Sequence, residues 1–212
     1  MPDKEKKKGT NISRRSFLKG VGTGTVAATV APSVLIGSEK TADAQQVGDA
    51  VESATIQLNI NGEPYQVEVE ARTTLLTVLR DGSDTSGNNV DLTGAKLICD
   101  RGECGGCTVM VDGKTVYACM MLAMDAQDKQ ITTVEGIADG DDLHPVQEAF
   151  IQHDALMCGF CTPGFIVSST ALLSENTKPT LEEIKVGLSG NTCRCGHLSV
   201  HLDAVKTASK KM

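Results

Sequence analysis

The sequence predicts an α+β protein in which a mixed sheet crossed by one helix is followed by a small unit of four helices. Three observations carry this. Apolar residues alternate at period two from Ala54 through the sixties and again around Asp112-Gly113. Beyond Gly136 the period becomes that of a helix. The chain's 8 cysteines fall into two groups of four, one in each half, between positions 99 and 195.

Residues 1–44 read as a leader, to be set aside before any fold reasoning. A lysine-rich start precedes "SRRSFLK" (Ser13 to Lys19) and the mildly apolar "GVGTGTVAATVAPSVLI" (Gly20 to Ile36). That is the order of a twin-arginine signal. A membrane anchor is the competing reading, but this segment is rich in Gly and Thr and broken by Pro32, whereas a span wants about 20 strongly apolar residues. Small residues at Ala42 and Ala44 place cleavage after Ala44, so periplasmic delivery and no membrane span in the mature chain are expected.

Residues 45–53 read as a linker, 54–135 as the sheet domain and 136–212 as the helical one. Ile56, Leu58 and Ile60 alternate, Asn61-Gly62 supplies a turn, and Tyr65, Val67 and Val69 alternate again, as in a β-hairpin. "TTLLTVLRD" (Thr73 to Asp81) puts Leu75, Leu76 and Leu79 on one helical face, and a polar, Gly-rich loop follows. "TVMV" and "KTVYAC" flank Asp112-Gly113 as a second hairpin, with Cys119 on its return strand, and "ITTVEG" (Ile131 to Gly136) is a further short strand. Pro145 and Pro163 sit where a first-turn proline is tolerated. Thr180 and Glu183 make a capping box for a helix ending at Gly190, and Leu198, Leu202 and Val205 mark the last helix.

Without the leader, 12 Lys/Arg remain of 20 and 23 Asp/Glu of 27, a formal charge of 12 − 23 = −11. That argues against nucleic acid as a partner. Trp is absent and aromatics are 3% of the chain, so the cores are aliphatic and some staple beyond burial is expected.

"CDRGECGGC" (Cys99 to Cys107) raises the choice between bridged and metal-bound thiols. Cys99, Cys104 and Cys107 have C-x4-C-x2-C spacing, and with Cys119 they give the plant-type pattern for a 2Fe-2S cluster. Four thiolates must converge on a compact centre, with backbone N–H groups turned toward the sulfurs. Side chains at Gly102, Gly105 and Gly106 would obstruct that wrapping. The other four are Cys158-x2-Cys161 and Cys193-x-Cys195, each pair at an expected helix N-terminus, where the dipole favours thiolate. Disulfides and structural zinc compete. Cys193-x-Cys195 is too tight for a comfortable bridge, and only one C-x2-C knuckle lies outside the first loop; for the second group these alternatives stay open beside iron–sulfur ligation.

Taken in order, "TLLTVLRD", "LTGAK", "CDRGECGGCTVMVDG", "ITTVEG", "HPVQEAF", "CGFCTPG" and "GNTCRCG" resemble the iron–sulfur subunit of the molybdenum hydroxylases, the xanthine dehydrogenase and aldehyde oxidoreductase family. Within it the chain is most similar to the small subunits of periplasmic aldehyde oxidoreductases. The resemblance covers residue 54 onward and puts all eight cysteines in register. It implies a ferredoxin-like β-grasp domain with one 2Fe-2S cluster and an all-α four-helix domain with another. The Cys158, Cys161, Cys193 and Cys195 cluster would lie nearer a molybdenum–pterin cofactor held by a large partner subunit. The other would lie nearer the acceptor, an FAD subunit or a cytochrome.

Four departures stand out. Ile98 replaces the family's usual Gly before the first cysteine, and Met157 replaces a Gln whose amide bonds the pterin. The aromatic common after the last cysteine is missing around His197 and Leu198, and the loop from Gly82 to Asp91 is long. None removes a ligand, and with Met157 in place of that Gln the pterin is expected still to dock through the backbone at Cys158 and Gly159.

His144, His153, His197 and His201 invite a metal reading, and His197 and His201 have helical i, i+4 spacing. No Glu lies between those two to act as base, and surface or capping roles are commoner. Met120, Met121 and Met124 read as core filler. The chain has no nucleophile–base constellation, hence no catalytic residue of its own. The expected function is a one-electron relay serving a molybdenum subunit that oxidises a substrate such as an aldehyde. The alternatives are a free-standing exported ferredoxin-like carrier and a zinc- or disulfide-stabilised structural module.

Overall fold

The structure, a computed structural model, describes residues 52–82, 85, 87 and 89–212. The expected leader and its cleavage site lie outside the described residues.

Strands β1 (Ser53–Ile60) and β2 (Glu63–Glu70) form an antiparallel hairpin in register from Ile60↔Glu63 to Ser53↔Glu70. Its two turn residues, Asn61 (φ 54°) and Gly62 (φ 85°), are both left-handed, the I′ geometry whose twist suits paired strands. Helix α1 (Leu75–Asp81) starts where the Thr74 hydroxyl accepts the Thr77 N–H at 3.3 Å, and it buries Leu75, Leu76, Val78 and Leu79. Strands β3 (Thr108–Val111) and β4 (Lys114–Tyr117) repeat the hairpin device at Asp112 (φ 49°) and Gly113 (φ 78°).

Strand β5 (Gln130–Thr132) is shorter than the sequence suggests, because Val134–Gly136 coils into a 3-10 turn. It pairs parallel to β1 and antiparallel to β3, completing a five-stranded sheet of order β2-β1-β5-β3-β4. Cys119 is not on the return strand as expected. β4 ends at Tyr117, and Cys119 sits in the following turn, where it faces the cysteine loop rather than alternating across the sheet.

Helix α2 (Pro145–Gln152) is capped by His144, whose Nδ1 accepts the Val146 N–H at 3.2 Å while Gln147 accepts the His144 N–H at 3.0 Å. Helix α3 (Thr162–Glu175) is buried on nearly every side and packs on β3 and β4 as well as on its helical neighbours. Its Phe165, fully buried, contributes about 1.5–3 kcal/mol. Helix α4 (Leu181–Gly187) opens on the expected Thr180/Glu183 capping box. It stops three residues short of Gly190, because the segment after it is drawn toward the sheet by the hydrogen bonds described below. Helix α5 (Leu198–Ala208) completes the four-helix unit.

Two cores result. One joins Leu58, Ile60, Val67 and Ile131 to the α1 leucines; the other gathers Val146, Phe150, Phe165, Ile184 and Val205. Both lie within one compact unit, Ala50–Met212. No helix among the described residues is long and apolar enough to cross a membrane.

Candidate metal centres

All eight cysteines are free. In the first group Cys107 and Cys119 are buried while Cys99 and Cys104 are half-buried, so the loop offers sulfurs from its floor and its rim. The loop turns through left-handed residues at Asp100, Gly102 and Gly105. At Gly105 (φ 70°) a side chain would also strike the Gly190 carbonyl, and at Gly106 it would strike the Ile98 side chain. The Gly106 N–H donates to Cys104 Sγ, 3.5 Å away. The backbone N–H groups of Arg101 and Glu103 pull the Cys99 thiol down to about 7. Burial pushes Cys107 up to about 12, so its thiolate needs a positive partner.

The second group draws from two helix entrances. Cys161 is the residue before α3, and Cys193 and Cys195 precede α5. Cys158 Sγ and Cys195 Sγ are 3.5 Å apart and exposed, while Cys161 and Cys193 lie deeper. The Phe160 N–H is the main influence lowering the Cys158 thiol, and burial drives Cys161 up to about 12. At Cys193 burial acts upward, but the N–H groups of His197, Cys195 and Gly196 and the Cys161 thiol outweigh it. Gly159 takes φ 80° in open space. Around this rim Leu156, Met157, Phe160 and Leu198 are exposed, Met157 by 60%. Around the first lie exposed Leu97, Ile98, Met120 and Leu122.

Each group therefore offers one rim thiol tuned toward thiolate, Cys99 or Cys158, and one deep thiol, Cys107 or Cys161, that ionises only against a cation, with N–H donors aimed at sulfur. This donor set fits a 2Fe-2S cluster, whose iron deprotonates coordinating thiols outright and whose sulfurs accept such hydrogen bonds.

A hydrogen-bonded seam joins the two groups. The Thr192 N–H donates to the Cys104 carbonyl at 2.9 Å, and Thr192 is the neighbour of Cys193. Asn191 Nδ2 donates to the Gly105 carbonyl at 2.9 Å and to Thr108 Oγ1 at 3.3 Å, and Asn191 Oδ1 accepts from Ser168 at 2.7 Å. The Tyr117 hydroxyl donates to the Gly190 carbonyl at 2.8 Å. A Cβ at Gly164 would strike the Gly105 carbonyl, so "CGFCTPG" needs that glycine for the close approach. Sequence reading missed Asn191; its only trace is the tripeptide "GNT" just before Cys193.

It also missed His201. The residue is wholly buried, not a surface or capping group, and one ring nitrogen lies within 4.8 Å of the Cys161 and Cys193 sulfurs. Helical spacing could have found it, because His201, Ala204, Val205 and Ala208 form an i, i+3, i+4, i+7 stripe.

Paired thiol sets of this kind, one on a glycine loop and one at helix entrances, define an iron–sulfur protein of the electron-transfer class. Residues 53–158 match the family described as 2Fe-2S iron-sulfur cluster binding domain, and residues 133–206 match the 2Fe-2S binding domain. The aldehyde oxidoreductase iron-sulfur-binding subunit PaoA of Escherichia coli K12 is 38% identical over 214 residues, covering 94% of this chain and 89% of that one. The nicotine 6-hydroxylase small subunit of Paenarthrobacter nicotinovorans is 46% identical over 153 residues, 72% of this chain and 88% of the relative. Among solved structures, quinoline 2-oxidoreductase from Pseudomonas putida 86 superposes with TM-score 0.68 at 37% identity, covering 74% of this chain and 94% of that one. The aldehyde oxidoreductase from Desulfovibrio gigas does so with TM-score 0.67 at 38% identity, over 74% of this chain and 17% of that longer one. The chain belongs to the iron–sulfur subunits of the molybdenum hydroxylase family.

Proposed function

We propose that this chain carries two 2Fe-2S clusters, held by Cys99, Cys104, Cys107 and Cys119 and by Cys158, Cys161, Cys193 and Cys195. In this reading it relays electrons from a large molybdenum-cofactor subunit that oxidises aldehydes to carboxylic acids, and delivers them to an FAD subunit or a cytochrome. Each cluster, when bound, supplies a site that gains and loses one electron at a time.

The observation that carries the proposal is the seam. The Cys104 carbonyl and the Thr192 N–H, next to Cys193, tie one thiol set to the other by a single 2.9 Å hydrogen bond, which a storage or purely structural module has no need of. The exposed apolar rims suit docking at both ends. Met157, Gly159 and Phe160 line the face offered to the molybdenum subunit, with the pterin approaching the backbone at Cys158 and Gly159. Ile98 and Met120 line the face offered to the acceptor.

Aldehyde chemistry is favoured by the PaoA relative. Its match runs over 94% of this chain and so enters the N-terminal segment, whereas the nicotine 6-hydroxylase small subunit matches 72%. The paired arginines Arg14 and Arg15 support export by the twin-arginine route to the periplasm, already folded around the clusters.

The test is metal content and company. Purified protein is expected to contain about four irons per chain, no stoichiometric zinc or disulfide, and a large molybdenum-containing subunit. Zinc in place of iron overturns the cluster assignment; an iron-loaded chain that purifies alone instead supports a free-standing carrier.

A further inference from the structure

His201 is a fully buried polar side chain with no hydrogen-bond partner at either ring nitrogen. It stands on α5 with its ring against Phe165 (centroids 4.3 Å apart) and Phe150 (5.6 Å), and the His197 ring lies edge-on at 6.0 Å. The Ala155 carbonyl faces the ring and favours a proton on it, yet completes no hydrogen bond. One ring nitrogen lies within 4.8 Å of Cys161 Sγ and Cys193 Sγ. Buried polar groups in native proteins almost always have partners. Aromatic walls offer none of consequence, and an aliphatic side chain would satisfy the packing beside Ala204 and Val205 equally well. Besides the Ala155 carbonyl, the acceptors beside the ring are the sulfurs of Cys161 and Cys193. A neutral imidazole has one N–H to give, and hydrogen bonds to cluster sulfurs are among the levers that set a reduction potential.

We propose that His201 donates its ring N–H to the sulfur of Cys161 or Cys193 in the iron-loaded protein and thereby raises the reduction potential of the helical-domain centre. It acts as a positioning residue, not a ligand, since four cysteines already complete that centre. A donor aimed at sulfur stabilises the reduced state, which carries one more negative charge, so it makes this centre the readier acceptor of an electron. The proposal rests on the cluster assignment above.

The experiment uses the full-length protein with its co-purifying subunits and follows both centres by electron paramagnetic resonance during redox titration of wild type, His201→Leu and His201→Gln. All three are expected to keep their iron. His201→Leu lowers the potential of the helical-domain centre, each tenfold loss in the reduced-to-oxidised ratio corresponding to about 59 mV for a one-electron couple. The other centre does not move, and His201→Gln, which keeps an N–H donor, recovers part of the shift.

Hyperfine spectroscopy on wild-type protein labelled with 15N-histidine decides the matter independently of whether the variants fold. A weak coupling of hydrogen-bond size supports the proposal. The strong coupling of a directly ligated imidazole overturns it, as does no coupling. An unchanged potential in iron-replete His201→Leu overturns this proposal alone, whereas a wild-type helical centre without iron overturns the cluster assignment beneath it.

Discussion

Replacing Asn191 by Ala should loosen the two lobes together, because this one buried amide holds three partners. Its Nδ2 donates to the Gly105 carbonyl and to Thr108, and its Oδ1 accepts from Ser168, which is itself buried. The Gly105 carbonyl keeps the Thr108 hydroxyl at 2.7 Å and the Thr108 N–H at 3.2 Å, so it is not orphaned. The Ser168 hydroxyl loses its acceptor. A buried hydroxyl left unpaired costs about 1–3 kcal/mol and the lost amide bond about 1 kcal/mol, for a total of about 2–4 kcal/mol. For a unit of this size that lowers the melting temperature by on the order of 10 °C. Because iron loss makes unfolding irreversible, the comparison is of apparent midpoints at one fixed scan rate, followed by circular dichroism and by visible absorbance. The double variant Ser168→Ala with Asn191→Ala removes the stranded hydroxyl and should recover part of the loss. A shift of under about 2 °C, or two separate transitions in the wild type, would refute the idea that the seam makes the lobes one cooperative body.

Cys104→Ser is expected to abolish the ferredoxin-like centre's paramagnetic signal while substrate still reduces the helical one, and Cys161→Ser to block reduction of both; equal reduction of the surviving centre in the two variants contradicts the proposed order. Met157→Gln restores an amide donor and acceptor beside Cys158, and should raise molybdenum occupancy with no change in substrate profile. A changed profile at constant occupancy places Met157 at the substrate instead. Arg14→Lys with Arg15→Lys should leave cluster-loaded protein in the cytoplasm on cell fractionation, and undiminished periplasmic delivery refutes the reading of the leader.

What the sequence revealed was local. Asn61-Gly62 and Asp112-Gly113 announce their hairpins because few other pairs tolerate two left-handed residues in succession, and the structure has all four at positive φ. Thr180 and Glu183 announce α4 because the box closes within three residues. What it concealed was non-local. The insertion of β5 between β1 and β3 depends on pairings far apart along the chain, to which a three-residue strand contributes almost no pattern of its own. The early end of α4 has the same origin. Gly190 looks like a helix stop, but Gly190, Asn191 and Thr192 are spent on Tyr117, Gly105 and Cys104, more than seventy positions earlier. The cysteine spacing pointed to 2Fe-2S chemistry, which the family matches share, because ligation constrains residue type; which thiols lie deep was not legible, because depth is set by tertiary packing.

That meeting explains why glycines crowd the motifs. Gly105, Gly164 and Gly190 belong to three separate segments, yet a side chain at any of them would strike the seam: the first would meet the Gly190 carbonyl, the second the Gly105 carbonyl and the third the Tyr117 hydroxyl. Only Gly105 among the three needs a left-handed backbone, so turn geometry does not account for the other two. Gly105 and Gly164 let backbone approach backbone and Gly190 leaves room for the Tyr117 hydroxyl, beside a contact in which the Cys104 carbonyl lies 2.9 Å from the Thr192 nitrogen. Electron tunnelling weakens steeply with distance and is carried better through bonds than across gaps. In the proposed relay small residues at the seam would serve packing and transfer together, since whatever parts the lobes also lengthens the path between the two thiol sets.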